Sequence, residues 1–200
     1  MNIVDPASGT GTSPASAPAD TRPPADAEAL GSGADGAVVT LAGPLAQRDA
    51  WTADRCSLAK ALEVVGTRSA LLLMREAYYG TRRFDDFARR VGITEAVAAS
   101  RLHELVEAGL LERRPYREPG QRTRQEYVLT GMGRDLAPAA LALMQWGDRY
   151  LTGPEGPPLT LRHRDCDEPL AVTVQCAAGH PVSLGEVTAG VARPSAAPRR

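Results

Sequence analysis

Between Gly92 and Leu111 the chain spells out a helix with both of its ends marked, and then passes straight into Leu110-Leu111-Glu112-Arg113-Arg114 with no room for a loop. Thr94 is the start signal, because a threonine side chain can accept a backbone amide that the first turn leaves unpaired. Gly109 is the stop signal, because it tolerates the left-handed backbone that ends a helix. Ala98, Leu102 and Leu105 recur on one stripe, so the helix lays one side on a core and leaves the other open. Just upstream, Phe84, Phe87, Ala88 and Val91 share one face of a second short helix, which Gly92 closes.

Two short helices joined across Gly92-Ile93 form a helix-turn-helix, since that turn needs few residues and usually a glycine. Before it, Leu58, Leu62 and Val65, then Ala70, Leu71, Leu73, Met74 and Ala77, recur at helical spacing; Gly66-Thr67 separates two helices and Gly80 ends the second. After it, Leu110 to Tyr116 and Gln125 to Leu129 read as strands around Pro119-Gly120, a hairpin standing beside the helix as a wing. A last helix is expected from about Thr130, with Pro138 bending its first turns. Within it Leu136, Ala140, Leu143, Gly147 and Tyr150 fall at alternating four- and three-residue steps, a seam that suits pairing with another helix and hence a homodimer.

These elements divide the chain. Residues 1–53 are Ala, Gly, Pro, Ser, Thr and Asp with few large apolar side chains, so they are expected to be a disordered tail, with Val38-Val39-Thr40-Leu41 its one patch able to dock. Residues 54–152 form the winged helix-turn-helix unit, 153–158 (Gly-Pro-Glu-Gly-Pro-Pro) a linker, 159–187 a small β appendage and 188–200 a flexible basic tail. The fold class expected is mainly α with a minor β component. No basic start with an apolar stretch behind it, and no run long enough to span a bilayer, is present, so a cytoplasmic protein without a membrane partner is expected. The net charge of -1 does not announce a nucleic-acid binder. The distribution does more: Asp5, Asp20, Asp26, Glu28 and Asp35 lie in the tail, whereas Arg113, Arg114, Arg117, Arg122 and Arg124 crowd the wing. Neither a phosphate-binding Walker loop nor a G-x-S-x-G elbow occurs, and an enzyme is not expected.

The segments Cys56-Ser57-Leu58-Ala59-Lys60-Ala61-Leu62-Glu63-Val64-Val65-Gly66, Arg82-Arg83-Phe84, Ser100-Arg101-Leu102-His103-Glu104-Leu105, Gly109-Leu110-Leu111-Glu112-Arg113, Tyr127-Val128-Leu129-Thr130 and Trp146-Gly147 together resemble the HxlR-type regulators. The resemblance runs from Cys56 to Leu151. It implies a dimeric bacterial transcription factor, with the first and last helices forming the dimer and the wing touching DNA beside the recognition helix. Leu58, Leu62, Leu136, Leu143, Trp146 and Tyr150 are the dimer residues expected on that basis. Two departures stand out: Ser69 where relatives carry Trp, and Ala96, Ala99, Ser100 and His103 where relatives often offer longer polar readers.

On the recognition helix, Ala96 and Ala99 can rest on thymine methyls, Ser100 and His103 can hydrogen-bond base edges, and Thr94 with the first amides can hold a phosphate. His103 equally suits a solvated helix position. Arg82, Arg83, Arg122 and Arg124 are expected on phosphates, and Arg101 is spaced to pair with Glu104. Two copies would read half-sites about one helical turn apart, a palindrome. Cys56 occupies the position where thiol-sensing relatives carry their reactive cysteine, and a helix N-terminus favours the thiolate; a small buried hydrophobe is the other reading. His163, Cys166, Cys176 and His180 form two pairs able to close a zinc site, although the same spacing fits a metal-free hairpin. The function expected is a DNA-binding transcriptional regulator, a repressor. The alternatives are a winged-helix module that binds a protein, favoured by the Ala-rich helix, and a thiol- or metal-responsive sensor. No motif specifies an effector.

Overall fold

Local signals in the chain account for the elements in order. The computed structural model describes residues 38–48, 56–117, 119–120 and 122–191. Helix α1 (Ser57–Val65) gives way at Gly66 to α2 (Arg68–Tyr78), whose first turn is capped by Thr67, its hydroxyl accepting the Ala70 amide at 3.2 Å. Helix α3 (Phe84–Val91) buries Phe87, Ala88 and Val91 and stops at Gly92, which takes the left-handed conformation at φ 69°. Helix α4 (Glu95–Glu107) follows at once, with Thr94 Oγ1 accepting the Val97 amide at 3.3 Å.

Strands β2 (Leu111–Tyr116) and β3 (Arg124–Leu129) pair antiparallel from Leu111↔Leu129 to Tyr116↔Arg124. The Tyr127 amide, on β3, also donates to the Arg82 carbonyl at 2.8 Å, tying the base of the hairpin to the entrance of α3. Phe87, Leu73, Met74, Leu102, Leu105 and Leu111 are the largest fully buried side chains, and the Phe87 ring meets Tyr127 edge-on at 6.0 Å. One core therefore fixes α2, α3, α4 and the hairpin together.

A buried polar cluster was not foreseen from sequence. Glu76, 6% exposed, accepts from Arg75 Nη2 at 2.8 Å and from Thr81 Oγ1 at 3.3 Å, and Arg90 Nη1 reaches Thr81 Oγ1 at 2.9 Å. Periodicity cannot reveal it, because Thr81 and Arg90, on the following turn and on α3, join the Arg75–Glu76 pair only in the folded chain.

The last helix is two helices rather than one. α5 (Gly131–Asp135) begins under a Thr130 cap, the chain turns at Leu136, and α6 (Ala137–Tyr150) carries Pro138 in its first turn. Proline lacks an amide and its ring collides with the carbonyl four residues back, so continuous helix through Arg134 is denied while a fresh helix start is permitted. Gly133 sits under the junction: a β-carbon there would lie 2.1 Å from the Leu110 carbonyl oxygen and 3.2 Å from Leu129 Cδ2.

Two differences concern the ends. Strand β1 (Thr40–Leu41), part of the segment read as tail, pairs in parallel with β4 (Thr188–Ala189), so the one apolar patch of that segment finds a partner. The strands expected within 159–187 reduce to isolated bridges, Arg162↔Pro169 and Gln175↔Pro181, plus a short 3-10 turn at Leu184–Glu186. Proline at each bridge removes a ladder donor, and nearly every side chain from 162 to 181 is exposed, so no core supports a sheet. The rest of the sequence reading for 1–37 and 192–200 lies outside the described residues. No helix among the described residues is long and apolar enough to cross a membrane.

Candidate nucleic-acid interface

Helix α4 buries Ala98, Leu102 and Leu105 and turns Ala96, Ala99, Ser100, His103, Glu104 and Glu107 outward, all exposed. Thr94 serves as the helix cap, so its hydroxyl is already engaged by the Val97 amide. Ser100 Oγ donates to Glu104 Oε1 at 3.0 Å, and Arg101 Nη1 bonds Glu104 Oε2. Arg101 thus pairs as its spacing anticipates, and Ser100, read as a candidate for hydrogen bonds to base edges, is held by the same carboxylate. Those two hydrogen bonds, from Ser100 first and Arg101 second, lower the Glu104 carboxyl below its ordinary value, so the acid stays charged. Sequence reading placed Glu104 only as the ion-pair partner of Arg101; its bond to Ser100 was signalled by the i, i+4 spacing.

The arginines around the wing fall into two groups. Arg82 pairs with Glu126 at 3.6 Å, and the Arg83 guanidinium lies over the Tyr116 ring at 5.0 Å. Arg113 lies over Tyr127 at 5.8 Å, and Arg114 pairs with Glu112. Arg122 and Arg124 are exposed at and beside the tip, and no described residue forms an ion pair with them. Contact with phosphate at the tip therefore requires no internal pair to be broken, whereas Arg82 would have to share Glu126.

Cys56 stands at the N-cap of α1, half-buried, its thiol free and making no capping bond. Leu58 and Leu62 on α1 and Leu143, Trp146 and Tyr150 on α6 are exposed, the Trp146 and Tyr150 rings 5.9 Å apart. Leu136 differs from these five: it is half-buried and packs against the chain's own core.

In the appendage, His163 Nδ1 approaches Cys166 Sγ at 3.1 Å, while the Cys176 amide donates to the His180 carbonyl at 3.0 Å. The four residues read as a zinc set do not gather, however. Among the described residues no group of three or more His, Cys, Asp or Glu is placed to hold a metal ion. Each loop is closed by its own backbone, His163 to Glu168 and Cys176 to His180, and both sit on exposed chain with no core to press them together.

An exposed helix laid over a shared core, capped by threonine and followed by an antiparallel hairpin rich in arginine, is a winged helix-turn-helix, the fold of DNA-binding transcriptional regulators. A family model described as HxlR-like helix-turn-helix matches residues 64–154. The uncharacterized HTH-type transcriptional regulator Rv3095 of Mycobacterium tuberculosis is 47% identical over 135 residues, covering 66% of this chain and 83% of that protein. The chain belongs to the HxlR-like family and is a transcriptional regulator. Among solved structures, PA1607, described as a candidate transcription factor, superposes with a TM-score of 0.59 at 33% identity, over 65% of this chain and 90% of that one. PA1374 of Pseudomonas aeruginosa, similarly described, gives 0.51 at 37% identity over 72% and 96%.

Proposed function

We propose that this regulator is a repressor that binds a palindromic operator as a homodimer in the cytoplasm, acting by occupancy rather than catalysis. The observation that carries the reading is the apolar surface left uncovered on α1 and α6: Leu58 is 66% exposed, Leu62 53%, Leu143 53%, Trp146 53% and Tyr150 62%. Large apolar side chains grouped on two helices mark a surface made to be covered. A second copy covers it symmetrically and sets two α4 helices to enter successive major grooves. Leu136 contributes from behind, by holding the start of α6 to the core.

Within each half-site Ala96 and Ala99 rest on thymine methyls, while Ser100 and His103 offer hydrogen bonds to base edges. Arg122 and Arg124 bind phosphate, and Arg82 and Arg83 lie at the base of the wing to do so with Glu126 and Tyr116 as alternative partners. The Thr94 cap presents the first amides of α4 to the backbone. Occupying a promoter in this way is sufficient for repression.

Sedimentation of the purified chain, together with anisotropy on DNA flanking its own coding region, tests the reading. A dimer that prefers that DNA and loses affinity steeply with salt supports it; a monomer, or salt-insensitive and sequence-blind binding, favours the protein-interaction module instead. A second reading, response through Cys56, is favoured by its place at the α1 N-cap, two residues before the exposed Leu58. Alkylation of Cys56 that leaves dimer and operator affinity unchanged would remove it.

A further inference from the structure

Hydrogen-bond donors are scarce on the outward side of α4, the side that this fold turns to the major groove. Its exposed polar side chains are Glu95, Ser100, His103, Glu104 and Glu107. The helix contains no Lys, Asn or Gln, and its one arginine, Arg101, is half-buried. The commonest base contacts use exactly what is missing, Arg or Lys on guanine and Asn or Gln on adenine.

The Ser100 hydroxyl gives its single proton to Glu104 Oε1 at 3.0 Å, so what it still presents is lone pairs. Glu104 takes Ser100 on one oxygen and Arg101 Nη1 on the other, and an ionised carboxylate keeps further acceptor capacity on both. Once Ser100 is engaged, His103 is the one exposed side chain of α4 able to donate. An unpaired carboxylate in a groove walled by phosphates would be repelled. Arg101 offsets that charge, and the two bonds hold the carboxylate in one orientation on an exposed edge of the helix.

We infer that Ser100 and Glu104 together form an acceptor pair that selects cytosine in each operator half-site, through its N4 amino group. The inference rests on α4 entering the major groove. Two donors occur there, adenine N6 and cytosine N4. Adenine N6 lies between two acceptors, its own N7 and thymine O4, and both repel a further acceptor. Cytosine N4 has one such neighbour, guanine O6, and a C–H on its other side, so a carboxylate approaches it at lower cost. Guanine and thymine edges present only acceptors and are rejected. As a contribution to helix stability an exposed ion pair is small, whereas on this face the same trio decides which base is tolerated.

Selection from a random duplex library by the full chain tests this, with Glu104→Ala and Glu104→Gln beside the wild type. The wild type is expected to enrich a symmetric motif with cytosine at one position of each half-site. Glu104→Ala should enrich the same motif with the preference at that position reduced roughly tenfold, the loss of one good base contact, and the other positions retained. Glu104→Gln, whose amide both donates and accepts, should move that position toward adenine. Both variants alter an exposed side chain, and thermal unfolding confirms that each is folded. A cytosine preference unchanged in Glu104→Ala overturns the proposal and leaves the regulator reading standing. An even loss at every position overturns it too, because Glu104 is then a prop for the helix rather than a reader. A wild-type chain that enriches no motif overturns both the proposal and the reading beneath it.

Discussion

Gly133→Ala is expected to be severe although it adds one methyl group in the middle of a five-residue helix. Gly133 is buried where α5 packs on Leu110 and Leu129, and the new β-carbon would stand 2.1 Å from the Leu110 carbonyl oxygen, more than an ångström inside contact. Neither neighbour can give way freely. The Leu110 carbonyl accepts the Thr130 amide at 3.1 Å, and Thr130 Oγ1 bonds the Gly109 carbonyl at 2.6 Å while accepting the Gly133 amide at 3.0 Å. The Gly133 carbonyl in turn accepts the Tyr78 hydroxyl at 3.0 Å. Displacing α5 to relieve the clash therefore adds to an overpacking cost of about 1–3 kcal/mol the loss of a cap worth about 1 kcal/mol and of a hydrogen bond worth about 1 kcal/mol. The sum is roughly 3–5 kcal/mol, or a fall in Tm of the order of 10–25 °C for a domain of this size. Thermal unfolding followed by circular dichroism at fixed protein concentration measures it. A loss below about 0.5 kcal/mol, within the range of an ordinary surface substitution, would show that α5 is not seated on Leu110 and would refute the packing described here.

Other expectations follow from the same geometry. Phe87→Ala empties a fully buried site and breaks the edge contact with Tyr127, and should cost about 3–5 kcal/mol in urea unfolding. Trp146→Arg should give a folded monomer in sedimentation with operator affinity collapsed; retention of the dimer would move the interface off α6. Arg122→Ala should lower the slope of log K against log salt by about 2 per dimer, near 0.9 for each phosphate no longer neutralised, with little change in sequence preference. Glu104→Gln should release Ser100 and Arg101 and alter base preference in a binding-site selection. Because the Glu104 carboxyl is depressed, its network with Ser100 and Arg101 is present above the ordinary glutamate value and lost only as pH falls through a lower one. A side-chain carboxyl titration by NMR that finds Glu104 at or above the ordinary value would contradict that arrangement.

The helical unit was legible because its stop and start signals are local: Thr67, Thr94 and Gly92 each act within one turn, and the stripe of Ala98, Leu102 and Leu105 follows from helical spacing. The split at Leu136 was half legible, since Pro138 announced a disturbance but could not say whether the helix bends or restarts. The Glu76–Thr81–Arg90 cluster and the stacking of Arg83 on Tyr116 were not legible, because both join residues brought together only by the turn before α3 and the return of the wing. The pairing of Thr40–Leu41 with Thr188–Ala189 spans most of the chain, and nothing local specifies it. The appendage misled in the opposite way. The segments Leu159 to Arg164, Ala171 to Cys176 and Pro181 to Leu184 were read as short strands, yet with Pro169 and Pro181 at the bridges and no facing layer they have nothing to bury against.

Binding of the full chain to duplex DNA flanking its own coding region, by fluorescence anisotropy across a salt series and against a scrambled duplex of equal length, tests the central claim. The account predicts tight, salt-dependent preference for the native fragment with a stoichiometry of one dimer per palindrome. Equal and weak binding to both duplexes would contradict it, and would leave the outward face of α4 to be explained by a protein partner.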